Sequence, residues 1–144
     1  SIEYSTPLKI VNPLINEFDL EIDVCASKEN HKLNKYWTIE DDAFKQKWDG
    51  NCWMNPPYNR DLGKWVRKAH SERHSGTKVC LFPVRANTKW WADVCVDSEI
   101  RFINGEVNFN NENRGLWAAI CVMIFGKQAK VGSFSIINYR KNVE

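Results

Sequence analysis

Asn51-Cys52-Trp53-Met54-Asn55-Pro56-Pro57-Tyr58 is followed by Leu62, Trp65, Val66 and Ala69 at i, i+3, i+4 and i+7, and this stretch decides how the chain folds. The first four residues read as a short buried strand. Two consecutive prolines can neither donate to a ladder nor continue a helix, so the strand must stop there in a rigid, exposed turn. The apolar spacing beyond it predicts an amphipathic helix to about Ser75, with Gly76 as its stop. Lys64, Arg67, Lys68 and Arg73 occupy its other face. Strand, tight turn and amphipathic helix in succession is the unit of an α/β sheet, which binds ligands outside the carboxyl ends of its strands.

Toward the amino terminus, Thr6-Pro7 begins an extended segment, and Ile10, Leu14 and Phe18 fall four apart as on a short helix. The alternation of Phe18, Leu20, Ile22 and Val24 with Asp19, Glu21 and Asp23 predicts a strand over 18–24. It ends in the small residues Cys25-Ala26-Ser27, which allow a ligand close to the backbone. A polar turn over 28–36 and a brief strand over 37–39 lead to the acids Glu40-Asp41-Asp42. Toward the carboxyl terminus, a buried strand over 77–84 delivers Arg85-Ala86-Asn87-Thr88-Lys89-Trp90-Trp91, and a helix near 91–96 leads to a strand over 100–103. Two β-rich runs, 116–125 and 131–139, flank Gly126-Lys127-Gln128-Ala129-Lys130 and read as an antiparallel hairpin at the end of the sheet. The expected fold is α/β, a mostly parallel sheet with a terminal antiparallel hairpin, an organisation that resembles a minimal class I (Rossmann-like) methyltransferase.

Among 144 residues, 20 Lys+Arg against 18 Asp+Glu leave a formal charge of +2, and 43% of the chain is hydrophobic. These figures suit one domain over 1–144 and exclude disorder, coiled coil and a membrane span. No amino-terminal signal pattern is visible, and a cytoplasmic location is expected. With a pI near 8.3 an anionic partner can be met only through a local patch. Cys25, Cys52, Cys80, Cys95 and Cys121 form no CxxC pair and no zinc-type spacing with His31, His70 and His74, so they read as free thiols, and no metal is expected. Seven tryptophans are a marked excess, and Trp37, Trp48, Trp53, Trp65 and Trp117 read as core.

Asn55-Pro56-Pro57-Tyr58 resembles the catalytic motif of enzymes that methylate a planar amino nitrogen using S-adenosylmethionine. Such a nitrogen is a poor nucleophile because its lone pair is delocalised. Two acceptors that hold its two N–H groups free the lone pair to aim at a methyl group, and prolines supply the rigidity that an in-line displacement needs. The resemblance extends to Ser5-Thr6-Pro7, Glu17-Phe18, Asp23-Val24-Cys25-Ala26-Ser27 with Glu29-Asn30, Thr38 with Glu40-Asp41-Asp42-Ala43-Phe44, Trp48, and the run from Pro83 to Trp91. In this order the blocks are similar to the phage-type DNA N-6-adenine methyltransferases.

The resemblance implies methyl transfer from S-adenosylmethionine to N6 of a flipped adenine in double-stranded DNA. Asn55 and the Pro56 carbonyl would accept from the amino group, Pro57 would stiffen the turn, and Tyr58 would stack on the base. Thr6 and Pro7 would lie along the cofactor. Asp23 and the backbone of Cys25, Ala26 and Ser27 would face its amino-acid end. Asp42 would accept from its adenine amino group, Ala43 would offer a backbone N–H, Phe44 would pack on the ring, and Glu40 would take the ribose hydroxyls. Between Glu40, Asp41 and Asp42 the sequence does not choose. Three departures from the pattern stand out. Cys25-Ala26-Ser27 replaces the usual glycine-rich loop, only 19 residues separate Asp23 from Asp42, and Glu106 follows Arg101-Phe102-Ile103-Asn104-Gly105 where a basic residue is expected.

Arg60 and Lys64 after the Asn-Pro-Pro-Tyr turn, and Arg85, Asn87, Lys89 and Trp90 after the next strand, should rise at one edge and meet DNA. One of Trp90 and Trp91 reads as core, and the polar loop Asn110-Asn111-Glu112-Asn113-Arg114-Gly115 is equally a hairpin loop or a base reader. No separate target-recognition domain is expected within 1–144, and a homodimer is allowed. The alternatives are an RNA or protein-amide N-methyltransferase, which would share the motif, and a catalytically silent nucleic-acid binding module of the same fold.

Overall fold

A computed structural model describes residues 5–109 and 118–140. The chain forms α1 (Leu8–Phe18), β1 (Ile22–Asp23), β2 (Cys52–Met54), α2 (Leu62–Ser71), β3 (Lys78–Pro83), α3 (Lys89–Cys95), β4 (Ser98–Asn104), β5 (Ile120–Phe125) and β6 (Phe134–Asn138). The six strands make one sheet in the order β1-β2-β3-β5-β4-β6. Ladders β1–β2, β2–β3 and β4–β6 are parallel, whereas β5 runs antiparallel to both β3 and β4. Every strand except β5 therefore points the same way, and their carboxyl ends share one edge.

This mixed sheet corrects two expectations. It is not mostly parallel, and 116–125 and 131–139 do not form a terminal hairpin. All six residues of β5 are buried, and both of its edges are taken, Lys78↔Phe125 through Pro83↔Ile120 on one side and Ser98↔Phe125 through Phe102↔Cys121 on the other. The chain then passes the start of β4, where Gly132 N–H donates to the Ser98 carbonyl at 2.9 Å, and β6 pairs with the free edge of β4.

Strand alternation sorts the apolar residues onto two layers. Cys52, Met54, Cys80, Phe82, Cys121, Met123 and Phe125 face α2 and α3, together with Val66, Ala69, Trp91 and Val94. Trp53, Val79, Leu81, Ile120, Val122 and Ile124 face α1. Helix α1 buries Ile10, Val11, Leu14 and Phe18 on that layer. Each such side chain contributes about 1.5–3 kcal/mol, against about 0–1 kcal/mol for a partly exposed ion pair, so packing rather than the Arg101–Glu17 bridge at 2.6 Å holds α1 in place.

The strand expected over 18–24 shrinks to Ile22–Asp23 because Phe18 completes the buried face of α1, and Asp19, in the left-handed region at φ 50°, ends that helix. Asn51 joins the pieces: its Nδ2 donates to the Phe18 carbonyl at 2.9 Å and its Oδ1 accepts from Thr77 N–H at 2.9 Å. The strand expected over 37–39 is replaced by a single parallel bridge, Asp23↔Tyr36. The helix expected to about Ser75 ends at Ser71, and a 3-10 turn over Arg73–Ser75 carries the chain to Gly76.

Gly63 on α2 is the contact point for α3. A Cβ there would stand 2.5 Å from Trp90 Cδ1, and Trp90 is itself packed against Phe82 and Trp91. Gly63→Ala should therefore lower stability, overpacking of about 1–3 kcal/mol outweighing about 1 kcal/mol of better helix propensity. Urea unfolding should show a lower midpoint, and the loss should shrink when Trp90 is also replaced by a smaller side chain.

Candidate active site

At the shared edge, the segments following β1 and β2 and the chain before α1 enclose a cavity of about 700 Å³. Thr6, Asp23, Cys25, Ala26, Ser27, Glu40, Asn55, Pro56 and Pro57 all line it, so the structure brings together most of the residues expected in catalysis and cofactor binding. Trp53, Trp65, Lys32, Tyr36, Thr38 and Ile39 also line it and were not singled out as site residues. Trp53 and Trp65 sit at apolar positions of a strand and a helix, where an aromatic reads as core. Lys32 lies in a polar stretch with no pattern to mark it.

Asn55 follows the last residue of β2, and the two prolines end the ladder there. Its side chain is held at both ends. Nδ2 donates to Thr6 Oγ1 at 3.0 Å, and the Tyr58 hydroxyl donates to Oδ1 at 2.8 Å. Thr6 is buried, and the Pro7 carbonyl accepts from Ile10 N–H at 3.0 Å, so the extended 5–7 segment is tied to the start of α1. The Tyr58 ring packs edge-on to Phe109, with centroids 5.8 Å apart. The Asn55 amide is thus fixed in orientation before any ligand arrives.

Asp23 closes β1 with only 3% of its surface exposed. Its carboxylate accepts from Cys25 N–H at 3.2 Å and Lys32 N–H at 2.9 Å. Burial nevertheless wins, and the carboxyl is pushed up to about 6. The next N–H groups are used inside the turn: Ala26 donates to the Trp37 carbonyl at 2.9 Å and Ser27 to the Asn30 carbonyl at 2.9 Å. Among the three acids, Glu40 lines the cavity. Asp41 accepts from Thr38 N–H at 2.8 Å, while Asp42 accepts from Phe44 N–H at 3.2 Å and caps the 3-10 turn Ala43–Lys45. The Ala43 carbonyl accepts from Trp48 Nε1 at 2.9 Å, and Phe44 packs on Trp65 at 4.4 Å. Pro7, Asp42, Ala43, Phe44 and Tyr58 are therefore neighbours of the cavity rather than part of its wall.

The expected cations lie on the same side of the sheet. Arg60, Lys64, Arg85, Asn87 and Lys89 are exposed, and Trp90 is half-buried. Lys89 Nζ pairs with Asp93 at 3.0 Å, as does Arg67 Nη2 at 2.8 Å, and Lys64 Nζ stands 4.2 Å from the Phe44 ring centroid. Residues 110–115 and Trp117 lie outside the described residues. Among the described residues no group of His, Cys, Asp and Glu is arranged to hold a metal ion, and no helix is long and apolar enough to cross a membrane.

Sheet and cavity together define an α/β protein with a ligand-sized site at the carboxyl ends of its parallel strands and a rigid Asn-Pro-Pro-Tyr turn at that site. The chain belongs to the DNA N-6-adenine-methyltransferase (Dam) family, whose model matches residues 3–143. It is 38% identical over 104 residues to the DNA N-6-adenine-methyltransferase of Haemophilus phage HP1 (strain HP1c1), covering 69% of this chain and 58% of that protein. It is 30% identical over 95 residues to the DNA N-6-adenine-methyltransferase of Escherichia phage T1, covering 62% of this chain and 39% of that protein. The chain thus spans less than two thirds of the length of each of these relatives.

The raised Asp23 carboxyl sets a pH dependence. In the folded chain it keeps its proton up to about 6, whereas the unfolded chain releases it near the ordinary value of 3.8. Its contribution to stability is therefore full below 3.8 and is lost as pH rises to about 6, a fall of about 3 kcal/mol. Urea midpoints measured from pH 4 to 7 should show Asp23→Asn gaining on the unsubstituted chain across that window.

Proposed function

We propose that this chain is an S-adenosylmethionine-dependent DNA adenine-N6 methyltransferase unit built on a reduced Rossmann-like sheet. Membership of the family and the activity for which the two phage relatives are named support this reading. The observation that carries it is the Asn55 amide, clamped between Thr6 and Tyr58 beside a cavity that also presents the buried Asp23 carboxylate.

The cavity residues fit S-adenosylmethionine by their chemistry. Asp23 matches an ammonium, the small side chains of Cys25, Ala26 and Ser27 leave room beside it, and Glu40 is an acceptor for ribose hydroxyls. Ile39 and Trp65 give apolar surface for a purine, with Phe44 packed behind Trp65. When bound, the group supplies an electrophilic methyl on a sulfonium sulfur. The protein's task is to raise the nucleophilicity of the target amino nitrogen and to aim it. Asn55 Oδ1 and the Pro56 carbonyl accept its two N–H groups, drawing the nitrogen out of conjugation. Pro56 and Pro57 hold these acceptors still, and Tyr58 supplies the ring against which the extruded base lies. DNA is met by Arg60, Lys64, Arg85 and Asn87 at the same edge, with Trp90 behind them and Lys89 held by Asp93.

Incubation with S-adenosylmethionine carrying a labelled methyl should label unmethylated duplex DNA at adenine N6 and leave RNA and protein unlabelled. Asn55→Ala should cut turnover at least about 10²-fold while cofactor affinity changes little, because orientation rather than binding is lost. Tyr58→Phe, which removes only the hydroxyl clamp on Asn55, should lower turnover by a smaller factor. Label found only in RNA or protein, or near-native turnover in Asn55→Ala, overturns the proposal.

A further inference from the structure

The turn after Asp23 has a chemical shortfall. Glycine-rich turns at this place in a sheet leave backbone N–H groups pointing at an anionic part of the ligand. Here the N–H groups of Cys25, Ala26 and Ser27 are consumed by Asp23 Oδ1 and the carbonyls of Trp37 and Asn30. An anionic group in this part of the cavity must find its counter-charge elsewhere.

Among the described residues two cations line the cavity, Lys28, which is exposed, and Lys32, which is half-buried. Lys32 is anchored at both ends, its N–H donating to Asp23 Oδ2 at 2.9 Å and its Nζ donating to Ser5 Oγ at 2.8 Å. Among the described residues it forms no ion pair. Burial draws its ammonium below the ordinary lysine value, with the nearby Asp23 carboxylate opposing. A partly desolvated ammonium whose polar partner is a neutral hydroxyl gains most when an anion arrives.

We infer that Lys32 binds the α-carboxylate of the methionine part of S-adenosylmethionine, opposite the ammonium taken by Asp23, an assignment that rests on the function proposed above. An α-amino acid carries both charges on one carbon. The cavity wall carries both complementary charges on two residues joined by the hydrogen bond from Lys32 N–H to the Asp23 carboxylate. The lysine does the work that backbone N–H groups do in a glycine-rich turn, which explains why Cys25-Ala26-Ser27 needs no glycine.

Titration calorimetry with S-adenosylmethionine and with its decarboxylated analogue, which lacks only this carboxylate, tests the assignment. The unsubstituted chain should prefer S-adenosylmethionine by about tenfold or more, as one charge-assisted hydrogen bond warrants. Lys32→Met should erase most of that preference while its affinity for the analogue stays within about twofold, and Lys32→Arg should restore part of it. Ser5→Ala, which removes the tether and keeps the charge, should retain the preference. Equal weakening toward both ligands in Lys32→Met would make the residue a structural tether and overturn the assignment. An unchanged ratio with weaker binding of duplex DNA would move it to a phosphate and overturn it as well. If the unsubstituted chain binds both ligands equally, the assignment to Lys32 fails and the proposed function stands; if it binds neither, both fail together.

Discussion

The site depends on one strand that does not belong to it. β5 is buried on both faces and runs against its two neighbours, joining β3 to β4 while leaving both pointing the same way. Had the chain paired β3 directly with an antiparallel β4, the turn after β4 would stand at the opposite edge. Instead the turns after β1, β2, β3 and β4 all rise together, and Phe109, five residues beyond β4, reaches the Tyr58 ring. The continuous apolar run Ile120-Cys121-Val122-Met123-Ile124-Phe125 is what such a position demands, since alternate residues fill opposite layers of the core.

Around that frame the part of the sheet that walls the cavity is reduced to very little. β1 is two residues long and forms the edge of the sheet, propped by a single bridge to Tyr36. The missing structure is replaced by side-chain and turn hydrogen bonds, with the Asp23 carboxylate gathering two N–H groups and Asp42 capping the 3-10 turn. A buried acid used this way costs stability above about pH 6, and the cost is tolerated where the same carboxylate serves a ligand. On the proposed function, an arriving ammonium removes that penalty, which couples ligand binding to folding of the 23–42 segment.

Much of this was legible in the residues. The prolines after Met54 and the helical spacing from Leu62 to Ala69 placed β2, the turn and α2 correctly, because those signals are local. Other elements could not be placed so, for lack of local information. Phe18 fits a period of two and a period of 3.6 equally, and only the face that α1 buries decides between them. The 116–125 and 131–139 runs carry no sign of which edge each will find. Their partners are set by the assembled sheet, in which β5 fills the place between β3 and β4 and β6 joins the outer edge of β4. The cavity wall was half visible for a similar reason. A tryptophan that packs one face on the core and shows the other to a ligand has the same sequence neighbourhood as one wholly buried. Trp65, packed on Phe44 and Trp48 yet open to the cavity, is such a residue.

Charge bookkeeping at the rim bears on where nucleic acid would lie under the proposed function. A phosphate gains little from a cation that already holds a carboxylate, because binding must then break one ion pair to make another. Asp93 holds Arg67 and Lys89, and Asp97 holds Arg73 and His70, so the outer surface of α2 and α3 is largely self-compensated. Among the described residues Arg60, Lys64 and Arg85 form no ion pair, and they follow β2 and β3 at the edge that carries Asn55. A net charge of only +2 is then no obstacle. Asp93 and Asp97 occupy Arg67, Lys89, Arg73 and His70, and the cations left over lie where a backbone must pass for a base to reach Asn55.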